Sequence, residues 1–275
     1  MNPAAFVVLL LAGSAGIVLS FANARSRAVL ADDGFTHPGQ RALAMGLLAG
    51  VLLLTVAIPF AGGLAGARAD TRDLSLFSLF LVHIILLGFL IVYYLLSGRR
   101  SLSAFLGTTS RRPATDLGAG LLVGAVGWLA MLVTAAAVGL AWSAARGRMP
   151  TPPTDDSSSL IVWIVTRPLA VRIGIVLSAM VVEELFFRSF LQTRVGPVAA
   201  TLMFTAAHGA YGEPLALVGI LVISTVLSAA YVLFGNVLPC IVAHGVFDAL
   251  QMFVLIPTAL RYMESGAPLA IAAGC

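Results

Sequence analysis

Long apolar runs separated by short polar connections organise this chain. Crossing a hydrocarbon layer takes roughly 20 apolar residues. Runs of that kind fall at Ala4–Ala22, Ala42–Leu64, Leu74–Leu96, Leu117–Ala144, Leu169–Leu191, Pro197–Ala210, Leu215–Phe234 and Val237–Ala259. The pattern predicts an all-α polytopic membrane protein of about eight transmembrane helices, the sixth of them short. The first run could be taken for a secretory signal, but no positive charge precedes it and it is long for such a segment, so it reads as a spanning helix. Leu160–Val165, ahead of Arg167 and Pro168, is a candidate interfacial piece.

Composition agrees with this class. Hydrophobic residues make up 60% of the chain and charged residues 10%, against about 25% charged in soluble domains. Mean hydropathy is +1.02. The net charge of +4 comes from arginine alone, with no lysine, and the arginines cluster between apolar runs. The bilayer surface is the partner this implies, and a nucleic-acid partner is not needed. The loop with Arg99, Arg100, Arg111 and Arg112 should be cytoplasmic. Arg25, Arg27 and Arg41 then fall on the same side. The opposite loops balance Arg68 and Arg72 with Asp70 and Asp73, and Arg146 and Arg148 with Asp155 and Asp156. The expected setting is a multi-pass protein of the cell membrane with its N-terminus outside. Cys240 and Cys275 form neither a disulfide framework nor a metal spacing. Cys275 is the last residue and not a prenylation signal.

The polar exceptions carry the chemistry. Glu183, Glu184 and Arg188 interrupt the run IGIVLSAMVVEELFFRSFL. Each ionisable group near a helix centre costs about 2.5–3.5 kcal/mol unless it is paired, and by default marks a functional site. Glu184 and Arg188 are four residues apart on one face and read as an internal ion pair. Glu183 lies on an adjoining face, free to meet another helix. His208 follows Phe204 by four residues, and Asp248 follows His244 by four. An Asp at that spacing can fix the imidazole tautomer. Counted from the arginine side, Glu183 and His244 lie roughly 12 Å deep and His208 roughly 17 Å. This predicts that the three converge toward the cytoplasmic half of the C-terminal bundle. Such a set suits general-base activation of water, or a three-ligand zinc site built from Glu183, His208 and His244. His83 has no carboxylate three or four residues away and reads as structural. Gly120 and Gly124 read as close helix packing.

Composition also divides the chain. Residues 1–148 read as a transmembrane scaffold whose helix interiors carry no acid or arginine. Residues 149–164 read as a polar linker with the interfacial segment, 165–262 as a reactive core and 263–275 as a tail.

EELFFR at 183–188, FTAAH at 204–208 and HGVFD at 244–248 resemble the EExxxR, FxxxH and HxxxN/D motifs of the CAAX protease and bacteriocin-processing (CPBP or Abi) family. The order agrees, and the resemblance covers about residues 165–260. It implies an intramembrane endopeptidase, of glutamate or metallo type, acting on a membrane-associated protein or peptide. Glu183 would activate water with help from His208. His244 with residue 248 would stabilise the oxyanion, and Glu184, Arg188 and Phe204 would support the site. No cofactor is required by this reading, with zinc or another divalent ion as the open alternative. Prenyl-protein relatives carry Asn at the last position. Asp248 must therefore orient His244, stay protonated, or serve a metal. The competing expectations are a catalytically silent scaffold or immunity protein and a proton-coupled transporter, the latter disfavoured by the absence of internal repeats.

Overall fold

The computed structural model describes residues 2–66, 74–99, 101–147, 160–211 and 214–264. Among these every assigned element is helical. We label them α1 (Pro3–Phe21), α2 (Ala24–Asp32), α3 (Pro38–Leu64), α4 (Leu76–Leu96), α5 (Leu102–Phe105), α6 (Pro113–Arg146) and α7 (Leu160–Val165). Then come α8 (residues 169–195), α9 (Pro197–Ala207), a 3-10 turn at Gly209–Tyr211, α10 (Pro214–Phe234) and α11 (residues 238–264). The polar segment 149–159, residues 265–275 of the expected tail, Arg68, Asp70, Arg72, Asp73, Arg100, Arg148 and Cys275 lie outside the described residues.

Local signals start and stop these helices. Asn2, Asn23, Ser75 and Ser101 accept hydrogen bonds from the first turns of α1, α2, α4 and α5, which satisfies amides that a helix start leaves open. Pro38, Pro113 and Pro197 open α3, α6 and α9, where a missing N–H costs nothing. Gly147, with φ of 67°, ends α6, a left-handed position that favours glycine.

All eight apolar runs are helical, but six have the length and apolarity to cross a membrane: α1, α3, α4, α6, α10 and the segment Leu238–Arg261 of α11. Among the described residues the count by length and composition is thus six, and the expected eight is not confirmed. The two that fall short have physical reasons. α8 carries Arg172, Glu183, Glu184 and Arg188, and α9 has 11 residues, roughly 16 Å, about half a hydrocarbon layer. The sequence reading also passed over α2 and α5, whose short, more polar sequences lack a long apolar run.

α8 is the axis of the bundle. Its second half, Leu185–Gln192, is a π-helical stretch in which every residue is buried. Phe186 and Phe190 pack edge-on against Phe89 of α4, and Phe190 also against Tyr93. At the end of α8, Arg194 grips the buried Asp33 carboxylate with bonds of 2.7 and 2.9 Å. Tyr93 and Arg99 bind the same carboxylate at 2.6 and 3.0 Å. This network ties α2, α4 and α8 together at the arginine-rich end. Around this centre the outward faces are apolar: α1 has no buried residue, as expected where lipid is the solvent.

The Gly120/Gly124 spacing does what close packing requires. A methyl at Gly120 would fall 2.9 Å from the Pro239 carbonyl oxygen, and one at Gly124 would fall 3.1 Å from Val246. α6 and α11 therefore meet nearly backbone to backbone, and α11 carries His244.

Candidate active site

Glu183 and Glu184 point in different directions, as neighbours on a helix must. Glu184 is fully buried between Arg188 and His244. Its Oε2 accepts from Arg188 Nε at 3.2 Å, the expected i,i+4 pair. Its Oε1 lies 2.9 Å from His244 Nδ1 of α11. That second contact spans 60 residues of sequence, beyond the reach of helix spacing. Arg188 also donates to Ser224 Oγ at 3.1 Å, which ties α8 to α10.

His244 is held from both sides. Its Nε2 lies 3.3 Å from Asp248 Oδ2, so the residue at 248 lies where it orients the ring. Ionised carboxylates only accept, so this arrangement accommodates an N–H on each ring nitrogen. Arg188 and a doubly protonated His244 would then balance Glu184 and Asp248.

His208 ends α9, and its Nδ1 lies 2.8 Å from the Phe204 carbonyl oxygen. A carbonyl only accepts, so Nδ1 is the donor and Nε2 keeps its lone pair in a neutral ring. That Nε2 lies 3.9 Å from Glu183 Oε2. The Phe204 ring packs 4.7 Å from the His208 ring and 6.0 Å from that of His244, with the Arg188 guanidinium 4.8 Å from its centre. Phe204 thus spaces the two imidazoles.

Glu183 is half-buried, and its Oε2, itself out of contact with solvent, has no protein hydrogen-bond partner among the described residues. Its Oε1 lies 3.2 Å from His83 Nε2 of α4. The contact gives His83 a carboxylate partner that its neighbours in sequence do not. α4, whose interior carries no acid or arginine, thus delivers an imidazole to Glu183 of α8. No carboxylate neighbours His83 in sequence, because its partner lies 100 residues on. The only signal was the imidazole itself, an expensive group in an apolar helix.

Glu183, His83, His208, His244 and Asp248 all line one cavity of about 710 Å³. Tyr211, whose ring lies edge-on to His208 at 5.4 Å, and Gln251 also reach it; the sequence reading singled out neither. The remaining wall is mostly aliphatic, including Leu79, Val82, Met131, Ile161 and Ile220.

α4 contributes Ser78 to Leu86, α6 Met131 to Val138 and α10 Leu215 to Ile223, the parts of these helices away from the arginine-rich end, while α8 and α11 line the cavity from their middles, Ile175 to Phe187 and His244 to Ile256. The cavity therefore extends from mid-bundle toward the end opposite Arg99, Arg111, Arg112 and Arg194.

A metal site fits these residues poorly. Glu183 Oε1 is engaged by His83, and His244 has both ring nitrogens on carboxylates. Among the described residues no group of three His, Cys, Asp or Glu is arranged to hold an ion. Cys240 is buried, with its thiol donating to the Leu227 carbonyl at 3.4 Å.

These features define an all-helical integral membrane protein with a buried carboxylate–imidazole cluster on an apolar cavity. Residues 163–250 match the family described as type II CAAX prenyl endopeptidase Rce1-like. The match bears out the CPBP resemblance over that segment. No curated protein and no solved structure matches the chain.

Proposed function

We propose that this protein is an intramembrane endopeptidase of glutamate type that hydrolyses a peptide bond in a membrane-associated protein or peptide. The observation that carries the reading is the pair of free acceptors, Glu183 Oε2 and His208 Nε2, 3.9 Å apart on the cavity wall. A water about 2.8 Å from each would see them at roughly 90°, close to its own H–O–H angle, and would direct both protons into them.

In the reaction, Glu183 Oε2 takes one proton as the water oxygen adds to the scissile carbonyl carbon. His208 holds the other proton and so aims the nucleophile. The carbonyl oxygen becomes an oxyanion. His244, whose two ring nitrogens are held by Glu184 and Asp248, places positive charge beside it, the kind of preorganised electrostatic stabilisation that dominates many hydrolases. Protonated Glu183 then passes its proton to the leaving amine as the C–N bond breaks, which regenerates the carboxylate. Asp248 positions His244 here and does not donate to the oxyanion. No step passes through a metal, because the donors do not converge on one.

The aliphatic wall suits a lipid-like or strongly apolar substrate segment. The Rce1-like match makes a prenylated C-terminal tail one candidate and a bilayer-embedded peptide the other.

The test compares new protein termini by mass spectrometry in membranes of cells making wild type or Glu183→Gln. Termini found only with the wild type are expected. Identical profiles from equally abundant, folded proteins would favour a silent scaffold. Cleavage is expected to survive a zinc chelator; loss on chelation with recovery on added zinc would favour the metallo-endopeptidase.

A further inference from the structure

Glu183 needs one oxygen held and the other free, and the structure supplies a group for the first task. His83 is 9% exposed in α4. Its Nε2 faces Glu183 Oε1 at 3.2 Å and its Nδ1 faces Ser178 Oγ at 3.1 Å. Ser178 and Glu183 are both on α8, so one ring of α4 is clamped between two side chains of its neighbour.

In a neutral His83 ring the chemistry of the groups selects one hydrogen-bond direction. A neutral imidazole carries one donor and one acceptor, and an ionised carboxylate only accepts. Ser178 therefore donates to Nδ1, and Nε2–H donates to Glu183 Oε1. The Ile175 carbonyl, 3.0 Å from Ser178 Oγ, lies inside a helix and does not depend on that hydroxyl. The reverse tautomer would set the Nε2 lone pair against carboxylate lone pairs in a buried site, an arrangement with a large penalty.

We infer that His83 is a positioning residue for Glu183, fixing its carboxylate through Oε1 so that Oε2 faces the cavity and His208. Its catalytic consequence rests on the endopeptidase reading; the pairing itself does not. His83 precedes the matched segment, which begins at residue 163, so the N-terminal half of the chain completes a site whose motifs all lie in the C-terminal half.

Two measurements on the full-length protein test this. The first needs no substrate. The chain has four histidines, so nitrogen NMR of histidine-labelled protein in detergent micelles can resolve each ring, with His83→Gln assigning the signal. The His83 ring should be the Nε2–H tautomer, its proton should shift on Glu183→Ala, and Ser178→Ala should leave the tautomer in place, because the Glu183 carboxylate still selects it. A ring that averages both tautomers and ignores Glu183→Ala would overturn the inference.

The second uses a peptide spanning the cleavage position that the terminus comparison defines. His83→Leu should lower kcat by about 10–100-fold, the range for losing a hydrogen bond to a charged group, with KM changed less than about threefold. His83→Gln keeps an N–H near the Nε2 position and should restore most of the loss. A fully active Leu variant, or a Gln variant as poor as Leu, would refute the positioning role. If wild type and Glu183→Gln leave identical termini, the endopeptidase reading fails instead, and the NMR result still decides the pairing.

Discussion

Two adjacent glutamates do opposite work because a helix turns 100° between them. Glu183 keeps one oxygen unpartnered and is suited to take a proton. Glu184 has both oxygens engaged, by Arg188 and His244, and is suited to hold the frame. The difference is measurable. Glu183→Gln should lower cleavage by about 10²–10⁴-fold, as expected for loss of a general base, with little change in melting temperature. Arg188→Met leaves a buried carboxylate short of its partner, and breaking such a pair costs about 3–5 kcal/mol. Its signature should be a lower melting temperature in detergent as well as lost activity. Asp248 can be tested by shape. Asn can still accept from His244 Nε2 through its amide oxygen, so Asp248→Asn should keep activity within about tenfold, whereas Asp248→Ala frees the ring and should lose more. Equal losses would argue that the charge at 248 matters more than orientation.

Helix-to-helix distances set the site as firmly as side chains do. The turn at Gly209–Tyr211 follows His208 directly and packs on α3. A Cβ on Gly209 would stand 2.5 Å from the Pro59 carbonyl oxygen, which is backbone and cannot swing aside. Gly209→Ala should therefore push the turn off α3, cost about 1–3 kcal/mol and misplace His208, lowering turnover together with stability. Gly88→Ala is the control. It sits in α4 with open space around a new methyl, and thermal unfolding should show it neutral or slightly stabilised, since Ala favours a helix. The π-helical stretch directly after Glu184 belongs to the same theme. Such stretches recur at functional sites, and here it follows the residues that carry the chemistry.

For the molecule as a whole, the end of the bundle that holds the cavity matters most. The arginine end is locked by Asp33, Arg99 and Arg194, while the cavity lies toward the other end. If the arginine face is cytoplasmic, substrate meets the site from the outer half of the membrane or from within the bilayer. In a Cys275→Ser background, single cysteines at Ser75 and Ser110 mark the two ends. A membrane-impermeant maleimide added to intact cells should label the first and spare the second. The reverse pattern would place the cavity on the cytoplasmic side and make the arginine distribution a poor guide to orientation in this chain.

What could be read along the chain was what repeats locally. Apolar runs located every long helix, because a spanning helix announces itself by length and composition. The Glu184–Arg188 and His244–Asp248 contacts followed from helix pitch. The grouping of Glu183, His208 and His244 followed from counting residues inward from the arginine loops. The contacts between helices followed from none of these. His83 meets Glu183 across 100 residues and His244 meets Glu184 across 60, and no periodicity encodes which faces of two helices will touch. The end toward which the cavity extends was likewise hidden, since it depends on how the helices pack around the Asp33 network and the glycine contacts. Periodicity is a property of one helix, and its imprint is carried in the order of residues. A catalytic geometry is a property of several helices, and it exists once packing has chosen their distances and rotations.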